Sequence, residues 1–323
     1  MCVTCGCGHD RPPFLESEET QVRPRDHHHH DHSDDHYHRR DHHHHDNHHH
    51  HHHHHDGPSC RAPTREVDQE QPGNLHFGLG LARVSVAGFD QGQLARMEQE
   101  ILDRNSVYAE GNRRWFADHR VLAVNLMSGT GAGKTTLLVR TVQDLKQRFP
   151  IAVIEGDQET TFDADRIRAE GIQAVQVNTG RGCHLDAHMV ECALGRLALP
   201  DGGVLFIENV GNLVCPAGFD LGERHGVVML SVTEGEDKPL KYPDVFAASE
   251  LLLITKMDLL PHVRFDVQRC ADFATRVNPS ITVLPVSVET GAGLDGWYTW
   301  IAKEVEALRE QEQIRAIGST RLP

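Results

Sequence analysis

Apolar and polar positions divide this chain near residue 76. Beyond that point, short apolar runs rich in β-branched residues recur: VLAVNLM (121–127), IAVIEG (151–156), IQAVQVN (172–178), GVLFIEN (203–209), HGVVMLSV (225–232), ELLLIT (250–255) and ITVLPVS (281–287). They are short and near-continuous, so they predict strands buried on both faces. Helical stretches separate them. Leu94, Met97, Ile101 and Tyr108 fall at helical spacing within GQLARMEQEILDRNSVYAEGNRRWF. Further helices are expected from Lys134, over DADRIRAEG, over HLDAHMVECALGRL, near 264–276, and from about 294 to 314. The alternation predicts an α/β fold: a mostly parallel sheet with helices on both faces, which binds ligands at the carboxyl ends of its strands.

Residues 1–75 follow no such pattern. They hold 20 of the 26 histidines, concentrated in a tract over 27–55, and open on a cysteine-rich tip, MCVTCGCGHD (1–10). Residues 11–75 carry too little apolar surface to offset the entropy of ordering, which predicts a disordered region in the absence of metal. The expected organisation is a metal-binding N-terminal region over 1–75 and a globular domain over 76–323. A formal net charge of −15 argues against nucleic acid and anionic membrane surfaces as partners. No run approaches the roughly 20 apolar residues a membrane span needs. The N-terminus has neither a basic leader nor an apolar segment, and the eight cysteines are scattered. They read as reduced thiols in a cytoplasmic protein rather than a disulfide framework.

The loop after the first core strand, SGTGAGKTT (128–136), has the elements of a phosphate-binding loop. Backbone N–H groups from Gly129, Thr130, Gly131, Ala132 and Gly133 would wrap the phosphates. Lys134 would reach the β- and γ-phosphates, and the hydroxyl of Thr135, followed by Thr136, would bind Mg²⁺. Ser128 stands where the first glycine of the motif usually is. TKMD (255–258) ends another apolar strand, and a Lys-x-Asp there selects the base. The Asp258 carboxylate accepts from guanine's N1 and N2 edge while the Lys256 stem covers the ring, which favours GTP over ATP. Ser287 and Thr290 in SVETGAG are candidates for a last base-contacting loop, a plain turn being the other reading. Two loops should sense the γ-phosphate. ENVG (208–211) offers Glu208 and Gly211, and GDQETTFDADR (156–166) offers Asp157 and Asp163, the latter also readable as a helix cap. Lys134, Asp163, Glu208 and Gly211 are the catalytic candidates, because this chemistry needs positioning and charge neutralisation.

Sulfur and imidazole donors form a second group. Cys183 and His184 follow the third core strand, and Cys215 lies four residues past Gly211, which places them at the same sheet edge as the phosphates. Two thiolates and an imidazole are a transition-metal ligand set. His188, one turn on, is an outside candidate. Cys192 and Cys270, within helices, read as small buried hydrophobes. Cys2, Cys5 and Cys7 with the chain's amino group would give four donors, enough for square-planar Ni²⁺, with zinc or redox chemistry as alternatives. The histidine tract, interrupted by Asp and away from the terminus, reads as a Ni²⁺/Zn²⁺ reservoir rather than a tag.

These motifs occur together in one order: MCVTCGCG, a histidine-rich linker, SGTGAGKTT, GDQETTFDADRI, NTGRGCHLDAHMV, IENVGNLVCPAGFDLGE and TKMD. The chain thus resembles the hydrogenase nickel-incorporation GTPases, the HypB family of SIMIBI-class metallochaperone GTPases. The resemblance implies slow hydrolysis of GTP to GDP and phosphate, and Ni²⁺ delivery to the [NiFe]-hydrogenase large subunit. It implies a metal site at Cys183, His184 and Cys215. GTP-promoted homodimerisation and a small nickel- and zinc-binding maturation partner are implied too. Competing expectations are a urease-type nickel-insertion GTPase, in which Pro separates the Cys and His, a non-enzymatic nickel store, and a small-molecule kinase.

Overall fold

The computed structural model describes residues 88–158 and 162–319. The cysteine tip with Cys2, Cys5 and Cys7, and the histidine tract, both expected to bind metal, lie outside the described residues. Seven strands form one parallel sheet: β1 (Leu122–Ser128), β2 (Ile151–Asp157), β3 (Gln173–Asn178), β4 (Val204–Glu208), β5 (His225–Ser231), β6 (Leu251–Thr255) and β7 (Thr282–Pro285), in the order β3-β2-β4-β1-β5-β6-β7. Every residue of β1, β4 and β6 is buried, as their largely apolar runs require of a sheet covered on both sides, Asn125 being the one polar residue inside them before their carboxyl ends. From β1 the chain goes to one side for β2 and β3, and after β4 it goes to the other for β5 to β7. The crevice at the carboxyl ends of β1 and β4 therefore lies where the winding reverses, the usual ligand position in such sheets.

Helices α1 (Gln91–Asp118), α2 (Lys134–Leu145), α3 (Phe162–Arg168), α4 (Ala187–Leu194), α7 (Val267–Val277) and α8 (Leu294–Ser319) answer to the predicted ones. Two short helices, α5 (Lys238–Lys241) and α6 (Pro243–Ala247), were not anticipated. Each is a single turn opened by Pro at its first or second position, too short to show a period. The helix expected from His184 begins at Ala187. Asp186 caps it by accepting from the Met189 N–H, and that leaves Cys183, His184 and Leu185 in the preceding loop. The expected stripe on α1 faces inward, with Leu94 buried and Met97, Ile101 and Tyr108 half-buried, and the helix continues that face. Its buried residues are Leu94, Asn105, Ala109, Asn112 and Phe116, so the inward face carries two asparagines. α8 covers the sheet with Trp297, which is fully buried, packs 6.2 Å from the Phe206 ring and donates to Thr141 Oγ1 at 2.9 Å.

The two helical cysteines separate. Cys270 is fully buried among apolar side chains, as expected. Cys192 is exposed, with its Sγ 3.6 Å from His188 Nε2 one turn earlier, so its reading as a core residue is corrected. Burial, with Glu236 adding to it, pushes the Cys270 thiol up to about 12. Thiolate is the reactive species. N-ethylmaleimide at pH 7.5 should modify Cys192 and leave Cys270 intact until the protein is unfolded, read by peptide mass spectrometry. Labelling of Cys270 in the folded protein would contradict the packing.

Candidate nucleotide and metal site

The loop joining β1 to α2 turns on Gly131 (φ 78°) and Gly133 (φ 95°), left-handed positions that favour glycine and allow α2 to begin directly after the loop. Lys134 is buried, and its Nζ donates to Ser128 Oγ at 2.9 Å. Burial lowers the pKa of the amine, while Glu208 and Glu155 pull it back up. Thr135 Oγ1 donates to Glu208 Oε1 at 2.7 Å, which joins the phosphate loop to the end of β4. The loop after β4 closes on the same place. Thr130 Oγ1 donates to the Gly211 carbonyl at 3.1 Å, and a Cβ at Gly211 would meet Thr130 Oγ1 at 2.8 Å, so only glycine permits this approach.

A cleft of about 590 Å³ results. Thr130, Gly131, Gly133, Lys134, Thr135 and Thr136 line it from one side. Asp157, Asp163, Glu208, Gly211 and Lys256 line it from the others. Gly129 and Ala132 belong to the same loop, and Ala132 anchors it by accepting from Thr255 Oγ1 at 2.7 Å. Residues 159–161 lie outside the described residues. Asp163 falls in the first turn of α3 rather than at its cap, and pairs with Arg166 at 3.4 Å.

At the base end, Lys256 adopts φ 57°, a left-handed conformation uncommon for a side chain of its size, and its Nζ donates to the Gly131 carbonyl at 2.7 Å. The strained turn swings the chain into a 3₁₀ segment, Met257–His262, that carries Asp258. Ser287 Oγ donates to Asp258 Oδ1 at 2.5 Å, and the Thr290 N–H donates to Ser287 Oγ at 3.2 Å. The two base-loop candidates after β6 and β7 are thus brought together.

Glu155 was not singled out from the sequence. It stands directly opposite Glu208 in the β2–β4 register, and one carboxylate oxygen from each of Glu155, Asp163 and Glu208 lies within 4.8 Å of the others. The signal was present: in IAVIEGD a glutamate two residues before Asp157 must share that residue's face of a buried strand. Facing glutamates repel. Burial first, then the carboxylates of Glu208, Asp157 and Asp163, pushes Glu155 up to about 8. Glu208 is pushed up to about 7 by burial, with Lys134 and Thr135 opposing. Oε2 of each is buried without a hydrogen-bond partner among the described residues. Oxygen-only donors with unsatisfied lone pairs suit a hard divalent cation such as Mg²⁺, and binding it would be coupled to loss of these protons.

Sulfur and imidazole donors meet at the adjoining edge. One ligand atom from each of Cys183, His184 and Cys215 lies within 4.8 Å of the others. Cys183 comes from the loop before α4, and Cys215 opens a 3₁₀ turn, Cys215–Gly218. His184 is buried, with its ring centroid 3.9 Å from that of Phe219. Cys183 also lines the nucleotide cleft, so the two donor groups share a wall. His188 does not join this trio. It sits beside Tyr108 of α1 and Cys192.

The family description "CobW/HypB/UreG, nucleotide-binding domain" matches residues 122–285. The hydrogenase maturation factor HypB of Azotobacter vinelandii is 56% identical over 246 residues, covering 74% of this chain and 81% of that one. HypB of Escherichia coli K12 is 46% identical over 301 residues, 93% of this chain and 98% of its own. The solved structure of HypB from Helicobacter pylori in complex with nickel is 34% identical, superimposes with a TM-score of 0.60, and covers 63% of this chain and 96% of its own.

Proposed function

This chain belongs to the HypB hydrogenase maturation factors of the CobW/HypB/UreG nucleotide-binding family, and from that premise we propose that it is a slow GTPase that couples its nucleotide state to nickel transfer during [NiFe]-hydrogenase maturation. The observation that carries this reading is Cys183, which is both a member of the Cys183–His184–Cys215 trio and a wall of the phosphate cleft. Nickel is the cargo and GTP the switch. The nickel complex of the Helicobacter pylori relative supports the choice of metal.

Guanine would dock against Asp258, with Lys256 over its ring. Lys134 would neutralise the β- and γ-phosphates. Thr135, Glu208, Asp163 and Asp157, with Glu155 behind them, would hold Mg²⁺, which supplies charge neutralisation for phosphoryl transfer when bound. Gly211 would feel the γ-phosphate and pass its loss to Cys215, four residues on. Three ligands per chain suit a site completed across a two-fold axis, so the GTP form is read as a homodimer. The domain over 76–323 would carry this switch. The region over 1–75, with Cys2, Cys5, Cys7 and the histidine tract, would store Ni²⁺ or Zn²⁺. A small metal-binding maturation protein and the hydrogenase large subunit are the partners in this reading. Adjacency of Cys183 and His184, with no proline between, sets it apart from the urease-type alternative.

Ni²⁺ affinity of the trio should differ about fivefold or more between the GDP form and the form bound to a non-hydrolysable GTP analogue, the usual scale of coupling between sites. A titration followed by thiolate-to-nickel charge-transfer absorption measures it, in full-length protein carrying Cys2→Ser, Cys5→Ser and Cys7→Ser. Equal affinities in the two states would end the coupling.

A further inference from the structure

The loop that carries Cys183 and His184 belongs to neither a strand nor a helix, so something else must hold it. Three buried asparagines do. Asn105 Oδ1 accepts from the Ala187 N–H at 2.9 Å, and Asn112 Nδ2 donates to the Ala187 carbonyl at 2.8 Å; both come from α1. The third is Asn209, just past β4, whose Oδ1 accepts from the Leu185 N–H at 3.0 Å. Of the three, only Asn209 also lines the nucleotide cleft, between Glu208 and Val210.

Its surroundings give it two arms. Oδ1 receives two backbone N–H groups, from Leu185 and from Val210, both at 3.0 Å, which fixes the orientation of the amide. Nδ2 faces the other way and donates to Asn125 Oδ1 at 3.3 Å. Asn125 in turn donates to Glu223 Oε1 at 2.9 Å, and Glu223 Oε2 accepts from the Leu221 N–H at 2.7 Å. Leu221 lies two residues past Phe219, the ring that packs on His184. One amide thus grips the Cys183–His184 loop directly and reaches the segment after Cys215 through two further side chains. Glu208, its neighbour in sequence, is bound to Thr135 of the phosphate loop.

We infer that Asn209 is the positioning residue through which nucleotide state reaches the Cys183–His184 half of the metal site. This rests on the coupling proposed above and adds to the Gly211–Cys215 segment the route to the other two ligands. A shift of the β4 end on loss of the γ-phosphate moves Oδ1 relative to the Leu185 N–H, and the Cys183–His184 loop must follow or lose a buried hydrogen bond. Leu185 has little room of its own, since a Cβ at Gly156 would stand 2.7 Å from its Cγ. The loop is clamped between the ends of β2 and β4, and both ends border the cleft.

The test is the ratio of Ni²⁺ affinities in the GDP and GTP-analogue forms at saturating nucleotide, in the full-length Cys2→Ser, Cys5→Ser, Cys7→Ser background. In Asn209→Ala the ratio should fall from about fivefold or more to below about twofold. In Asn209→Asp, which keeps the acceptor for Leu185 and Val210, it should stay above about twofold. Thermal melts identify any variant that has lost its fold, and the aspartate variant keeps the test open if alanine does so. An undiminished ratio in folded Asn209→Ala overturns the role of Asn209, and a lost one in folded Asn209→Asp overturns the route through Oδ1 and Leu185; either leaves the coupling itself standing. A parent protein with no ratio overturns the coupling itself, and this route with it.

Discussion

Replacing Lys134 with alanine will lower the rate of GTP hydrolysis by about a thousandfold, the scale of removing one preorganised charge from a phosphoryl-transfer site. Lys134 is poised at a cost. Its amine is buried, it donates to the neutral Ser128 hydroxyl, and burial already lowers its pKa. A triphosphate would repay that desolvation, because the β- and γ-phosphate oxygens would supply charge-assisted bonds to the amine. Loss of the amine also removes the cation that holds Glu208 toward its ionised form, so the carboxylates opposite become harder to charge. The same substitution should cost the fold little, since the desolvation of the buried ammonium outweighs the pull of Glu208 and Glu155 on it. Single-turnover phosphate release is the measurement, with thermal melting to confirm folding. A variant keeping more than about a tenth of the parent rate would remove Lys134 from the reaction centre.

Much of this site was legible because phosphate binding depends on backbone shape, and backbone shape depends on glycine. Gly131 and Gly133 announce their left-handed turns, and Gly211 its close approach to Thr130, wherever such glycines follow an apolar strand. Strands were legible for a similar reason: a strand buried on both faces must be mostly apolar, as in β1 and β6. The sulfur and imidazole trio followed from topology, since residues ending parallel strands converge at one edge whatever their separation in the chain. What stayed hidden depends on partners rather than on period. Asn105 and Asn112 look like surface positions until the Ala187 backbone they satisfy is in place. Glu155 looks like an ordinary strand end until β4 brings Glu208 beside it. Cys192 and Cys270 are alike in sequence, and only the packing of α4 against α1 and of α7 against α5 and α6 tells exposed from buried.

Substituting asparagine for Asp258 should weaken GTP binding by about a hundredfold to a thousandfold and turn the preference toward xanthosine triphosphate. The carboxylate as placed is an acceptor on every edge. Ser287 Oγ occupies part of Oδ1 at 2.5 Å, and the remaining lone pairs are free to accept from guanine's N1–H and N2 amino group. Each charge-assisted bond of this kind contributes about 1.5–3 kcal/mol, and a donor left facing a donor costs more than a bond simply absent. Asparagine keeps the shape but puts an NH₂ group where one acceptor was. Against guanine, one bond is lost and a donor clash replaces it. Against xanthine, whose C2 carries a carbonyl, the same NH₂ finds an acceptor, so the substitution exchanges one pairing for another rather than destroying the pocket. The strained Lys256 turn and its bond to Gly131 are untouched by the change, so the base plane should be preserved. Displacement of a fluorescent guanine nucleotide by GTP and by xanthosine triphosphate reads both effects. Unchanged GTP affinity would show that Asp258 serves the 3₁₀ turn and Ser287 rather than the base, and the case for guanine over adenine would lose its chief support.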